Sequence, residues 1–279
     1  MTLSVVAIIL FAALLHATWN AIVKSSADRT VTLGMIALAQ CVAGGIMAVF
    51  LPLPSYESFL YILFSTGTHF CYYYMLNWAY RYGDSSVVYP IARGIVPALV
   101  AIWAMILVGE LLPLAAWFGI ALIAAAIPLS SWKALTSGFD RNALMFALGT
   151  GLCISIYSVF DGIGVRLSGN TLSYWAWGAF LHIIIAGFIG IRRRHMLATI
   201  STQTWVIGLA GGLVSMVAYG LVLYAKNFAP LGAVSALRET SVIFAAVIGF
   251  VIFKEGNWKR RSAAAVLMSA GVAVIALTA

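Results

Sequence analysis

Apolar runs of about twenty residues, the length that crosses a bilayer core as one helix, recur along this entire chain. Counted between polar or Gly/Pro punctuation, they fall near 3–23, 32–51, 57–80, 85–107 and 113–132, then near 140–164, 171–190, 203–225, 232–253 and 260–278. Apolar residues make up 63% of the 279 positions and charged residues 9%, so water cannot be the solvent for most of the surface. The connections Pro52 to Ser55, Gly109 to Pro113 and Pro230 to Gly232 are short. Neighbouring spans are therefore antiparallel, and no soluble domain fits between them. The first 23 residues have no Lys or Arg before the apolar run and no small-x-small cleavage site after it, so they read as the first membrane helix.

The chain also repeats itself. Shifted by 145 positions, Gly67, Tyr74, Arg81, Arg93, Ala101 and Glu110 fall on Gly212, Tyr219, Lys226, Arg238, Ala246 and Glu255. The repeat divides it into a unit of residues 1–136 and a unit of residues 137–279. Five spans per unit is an odd number, so the second unit enters the membrane from the opposite side. The expected fold is all-α and integral to the membrane: ten transmembrane helices as two inverted five-helix repeats.

Orientation follows from the positive charges, which short loops retain on the cytoplasmic side. One set of loops holds Lys24, Arg29, Arg81, Lys133, Arg141, Arg192, Arg193, Arg194, Lys254, Lys259, Arg260 and Arg261; the other holds Arg166 and Lys226. Both termini are thus expected away from the cytoplasm, in the cell (inner) membrane. The net charge of +8 reports this topology. It does not point to nucleic acid, which would need the cations gathered on one polar face.

Charges inside apolar spans are costly and mark candidate sites. Arg93 lies eight residues into its span, ~12 Å along the helix and close to the midplane of a ~30 Å core. It sits in Tyr89-Pro90-Ile91-Ala92-Arg93-Gly94-Ile95-Val96-Pro97, where two prolines and a glycine interrupt helical hydrogen bonding. Such backbone at depth is accepted where it lines a cavity. Arg238 is its counterpart in the second unit, followed by Glu239; adjacent helical residues diverge by about 100°, so Glu239 is not an automatic neutraliser of Arg238. Two converging guanidinium groups would suit a carboxylate, phosphate or phosphonate. The alternative is structural, with Arg93 paired to Asp161 or Glu239 and joining helices.

His16, Asn20 and Lys24 recur at intervals of four on the opening span, with Trp19 beside them, making a polar stripe on an apolar helix. His16 is a candidate for proton exchange near neutral pH or a satisfied hydrogen-bonding residue; Lys24 reads as a cytoplasmic anchor. Tyr157 and Asp161 share a face of the sixth span, Asp161 about one turn from its external end. Three roles stay open for Asp161: proton-coupling carboxylate, counter-charge to an arginine, or helix-end residue. Glu110 and Glu255 read as structural turn residues. Tyr72, Tyr73, Tyr74, Tyr89, Tyr219 and Tyr224 form phenol-rich walls, mainly for helix packing. Trp117, Trp132, Trp205 and Trp258 sit near span ends, as interfacial indoles do. Cys41, Cys71 and Cys153 have no CxxC spacing and no nearby His, so they are expected as packed thiols with no metal.

Two five-span halves, each with a Lys or Arg after its third span and Gly109-Glu110 or Lys254-Glu255 before its fifth, resemble the EamA-type members of the drug/metabolite transporter superfamily over essentially the whole chain. The resemblance implies a secondary carrier of small metabolites that alternates between inward-open and outward-open states around a central cavity. The stretches His16-Ala17-Thr18-Trp19-Asn20, Asp161-Gly162-Ile163-Gly164-Val165-Arg166 and Leu237-Arg238-Glu239-Thr240-Ser241 are similar to a branch described as phosphonate-utilisation-associated membrane proteins. That similarity implies a cargo such as 2-aminoethylphosphonate; an amino acid would satisfy the same charges.

The function expected is transport of a small anionic or zwitterionic metabolite, with no cofactor and membrane lipid as surroundings, by a monomer or homodimer. Substrate contacts are expected from Arg93, Arg238, Glu239, His16, Trp19, Asn20 and Tyr89, and proton coupling from Asp161, Glu239 or His16. Arg93→Gln and Arg238→Gln are each expected to abolish binding while leaving the fold intact. A proton-coupled multidrug or cation exporter is the alternative within the class; it would rely on a central acidic residue and aromatic walls. A membrane-embedded enzyme or scaffold is the rival outside it, but no HExxH, GxSxG or GxGD pattern is present.

Overall fold

The computed structural model describes residues 1–26, 28–83, 85–130, 140–197, 200–251 and 258–279. Among these, every regular element is an α-helix. The first half holds α1 (Leu3–Ser25), α2 (Arg29–Phe50), α3 (Tyr56–Tyr82), α4 (Ser85–Gly94), α5 (Val96–Val108) and α6 (Leu114–Ser130). The second holds α7 (Arg141–Leu167), α8 (Thr171–Phe180), α9 (Ile183–Arg192), α10 (Arg194–Leu197), α11 (Thr202–Ala225), α12 (Leu231–Arg238), α13 (Ser241–Val251) and α14 (Trp258–Thr278).

The polar punctuation of the sequence becomes the helix caps. Asp28, Ser55, Asp140, Asn170 and Ser201 each accept a backbone N–H from the first turn of the helix they open. Gly109 closes α5 in the left-handed conformation, at φ 73°, which a residue with a Cβ adopts only at a cost.

Among the described residues, seven stretches are long and apolar enough to cross a membrane: Leu3–Val23, Thr30–Phe50, Ile91–Val108, Arg141–Leu167, Thr171–Arg192, Thr202–Ala225 and Leu231–Gly249. They make the chain a multi-pass membrane protein. The other three expected spans correspond to α3, whose 27 residues include many polar ones, and to the shorter apolar stretches Leu114–Ile127 and Ala263–Thr278. Large apolar side chains such as Phe50, Leu114, Ile191 and Val266 are exposed on the outer faces, where lipid would cover them.

Helices of the two halves interleave. The most extensive contacts run between α3 and α7, between α6 and α14, and between α1 and α11; α2 packs on α8, α9 and α11, and α5 packs on α12. Gly151 lets α7 meet the backbone of the fourth span: a Cβ there would fall 2.5 Å from the Ala92 carbonyl oxygen.

Among the described residues three spans are discontinuous: Thr171–Arg192 breaks between α8 and α9 with no counterpart in α2, and the other two breaks match under the 145-residue shift. In the first half α4 ends at Gly94 and α5 restarts at Val96. Pro97, in the first turn of α5, has no N–H to give and its ring excludes the carbonyl four residues back, which belongs to Arg93. The second half has no proline at this point. There the chain tightens through i to i−3 bonds, Glu239 N to Ala236 O at 3.1 Å and Thr240 N to Leu237 O at 3.2 Å. The Thr240 hydroxyl also donates to the Leu237 carbonyl at 2.7 Å. Different local chemistry thus places a break just past each of the two arginines.

Candidate functional site

Arg93 and Arg238 end the half-helices α4 and α12, and both are buried. Their partners differ. The Arg93 Nε donates to Glu239 Oε2 at 2.8 Å, an ion pair that joins the two breaks across the halves, with Glu239 1% exposed. This is the structural pairing that the sequence left open. Among the described residues Arg238 has no carboxylate within salt-bridge distance; its guanidinium lies 5.7 Å from the centre of the Tyr219 ring, at cation–π range. The two arginines therefore do not form a symmetric clamp. One is committed to a glutamate, and the other faces a phenol.

Tyr219 links Arg238 to Asp161. Its hydroxyl donates to Asp161 Oδ2, and the Tyr174 hydroxyl donates to Asp161 Oδ1 at 2.9 Å. Two phenol donors satisfy a carboxylate that is 4% exposed. Asp161 is thus no helix-end residue: α7 continues to Leu167, and Asp161 sits inside the protein. Gly164, one turn further along α7, makes room for Tyr174, since a Cβ there would lie 2.5 Å from the ring.

Lys226, expected in an external loop, is 1% exposed. It caps α11, donates to the Ser158 carbonyl at 2.8 Å and stands 5.7 Å from the centre of the same Tyr219 ring. Its repeat counterpart Arg81 is exposed and lies over Trp78 at 5.0 Å. Arg166, the other cation expected in an external loop, is half-buried and bound: Nη1 donates to Glu110 at 2.5 Å, Nε to the Lys226 carbonyl at 2.7 Å and Nη2 to the Ala229 carbonyl at 3.0 Å. Glu110 also accepts the Leu231 N–H at 2.7 Å, so it caps α12. Its repeat partner Glu255 and its neighbour Lys254 lie outside the described residues.

The opening span brings His16 within electrostatic reach of Arg238 and Arg93. Its neighbours are occupied locally: Trp19 Nε1 donates to His16 Nδ1 at 3.2 Å, and Asn20 Nδ2 donates to the His16 carbonyl at 2.7 Å. Tyr89 falls on α4 with its side chain outside the described residues. His69 and His182, which the sequence did not single out, lie within electrostatic reach of Asp161. His69 stacks on Tyr157 at 3.8 Å. The only signal for either was a lone histidine within an apolar span.

The class is therefore a multi-pass membrane protein with a buried charged cluster where two discontinuous helices meet. Residues 141–277 match the model of the EamA-like transporter family. No curated protein matches the chain. Chains of solved structures do match, 29 of them. One, described only as "Crystal structure of protein", shares the fold over 99% of either chain with a TM-score of 0.78 at 20% identity. The architecture of the first half is thus shared with a known structure as well.

Proposed function

We propose that the chain is a secondary carrier of a small anionic or zwitterionic metabolite, built as ten spans in two inverted units, residues 1–136 and 137–279. The contacts support the duplication: the pairs α3 with α7 and α1 with α11 exchange under the 145-residue shift, while α6 with α14, and α2 with α8 and α9, map onto themselves. The matched breaks support it too. Inverted repeats with discontinuous helices at their interface are the architecture of alternating access.

The observation that carries the substrate class is Arg238, buried among helices of both halves with no carboxylate partner among the described residues. The substrate's oxyanion binds there, and Arg93 stays on Glu239 in the substrate-free state. Asp161 accepts the amine of a zwitterion, such as an amino acid or 2-aminoethylphosphonate, or carries the coupling proton. The halves then rock to expose the site on the other side of the inner membrane. Both termini lie away from the cytoplasm.

One observation favours a cation exporter instead. Asp161 is an acidic residue among the phenols of Tyr174, Tyr219 and Tyr157, a setting that would suit an organic cation. Lys226 and Arg238 within the same cluster oppose it.

A thermal-shift screen of the purified protein with amino acids, phosphonates, phosphorylated metabolites and organic cations separates the two readings, because a ligand that binds the native state raises Tm by mass action. Stabilisation by an oxyanion, lost in Arg238→Gln, is the expected result. Stabilisation by cations alone, unchanged in Arg238→Gln, would transfer the protein to the exporter reading.

A further inference from the structure

Lys226 is a fully buried ammonium at the end of α11, and Asp161 does not fully account for it. An ammonium has three donors. Among the described residues, that of Lys226 makes one hydrogen bond, to the Ser158 carbonyl. Arg238 lies within its electrostatic reach, and both cations stand 5.7 Å from the centre of one phenol ring, that of Tyr219. Asp161 is the carboxylate within reach of Lys226, and both its oxygens already accept phenol hydroxyls. Arg166, also within reach, is matched by Glu110.

The charges of the cluster do not balance. Arg93 is matched by Glu239. Arg238, Lys226 and Arg93 face two carboxylates, Asp161 and Glu239, so a charged Lys226 is one positive charge in excess, and burial lowers the pKa of its ammonium to about 7. Uncompensated charge at this depth is costly, and one incoming anionic group relieves it.

We propose that Lys226 and Arg238 together form the oxyanion subsite of the carrier, around Tyr219, and that Lys226 is the second cation of the site in place of Arg93. The proposal rests on the reading that the cargo is anionic. It makes the subsite asymmetric with respect to the repeat, because the counterpart Arg81 is exposed and outside the cluster. The guanidinium supplies a planar fork for two oxygens, and the ammonium a point charge for the third or for the net charge.

The test is the affinity of methylphosphonate, an oxyanion with no amine, measured from the dose dependence of Tm, with tetraethylammonium as the cationic probe. Lys226→Gln should weaken methylphosphonate by about tenfold or more, as loss of a buried charge-assisted contact does. Lys226→Arg should retain binding to within about threefold, a change worth less than half of a tenfold step in free energy. The double variant Lys226→Gln/Asp161→Asn removes the lysine together with its carboxylate and keeps the test open should Lys226→Gln not fold; it should bind methylphosphonate as weakly as Lys226→Gln. Wild-type affinity in the double variant would make Lys226 a structural counter-ion and overturn the proposal. Loss of binding in Arg238→Gln with full binding in Lys226→Gln would overturn it while leaving the anion-carrier reading intact. A wild-type protein stabilised by tetraethylammonium and not by methylphosphonate would overturn both.

Discussion

Arg93 and Arg238 occupy equivalent places in the repeat and meet different partners, so their substitutions should differ. Arg93→Gln strands Glu239 in a buried site, and breaking such a pair costs about 3–5 kcal/mol. Thermal unfolding should show a large loss of stability, much of it recovered in Arg93→Gln/Glu239→Gln; an unshifted Tm in the single variant would mean that the pair does not form. Arg238→Gln removes no ion pair among the described residues and should lose binding with a smaller change in Tm. The sequence-level expectation that both variants keep the fold intact therefore holds better for Arg238. Arg93, Arg238, Glu239 and Asp161 stood out in the sequence because a charge within an apolar run is rare whatever surrounds it. Lys226 and Tyr174 did not. Each lies near a span end, where a lysine ordinarily snorkels to water and a tyrosine sits at the headgroups. Only the cover supplied by α7, through Ser158 and Asp161, buries their polar groups.

The discontinuous spans show the same division between local and tertiary signals. The first break was legible in Gly94 and Pro97, since proline removes a donor and excludes a carbonyl. The second depends on a tight turn at Glu239 and Thr240 that has no such marker, and in sequence 232–253 reads as one unbroken span. Two outcomes test the element scale. Gly151→Ala should cost about 1–3 kcal/mol, because its Cβ would press on the backbone carbonyl of Ala92, whereas Gly67→Ala on α3, with nothing within 4 Å, should be neutral or slightly stabilising. Equal Tm values for the two variants would contradict the close approach of α7 to the first break. Glu110→Ala removes both the cap of α12 and the partner of Arg166, and for this half-buried pair a loss of about 1–2 kcal/mol is expected in chemical denaturation.

For the whole molecule, membrane class and helix order were legible in hydropathy, and the family match and shared fold agree with them. The burial of Lys226 and the pairing of Arg166 strengthen the topology argument, because the two cations that ran against the charge bias do not sit free in loops. A reporter fused after Ala279 should accordingly be active as alkaline phosphatase and dark as a green fluorescent protein; the reverse pattern would invert the topology. Substrate identity was not legible at this scale, since one fold serves many cargoes and the choice rests on a few side chains. The central claim is that an oxyanion crosses at Arg238, and its most direct test is counterflow in proteoliposomes. Vesicles loaded with unlabelled 2-aminoethylphosphonate or amino acid are diluted into a trace of the same compound in labelled form. Transient accumulation of label by the wild type, absent in Arg238→Gln of equal incorporation, is the expected result. Equal accumulation by both proteins, or accumulation of organic cations alone, would contradict it.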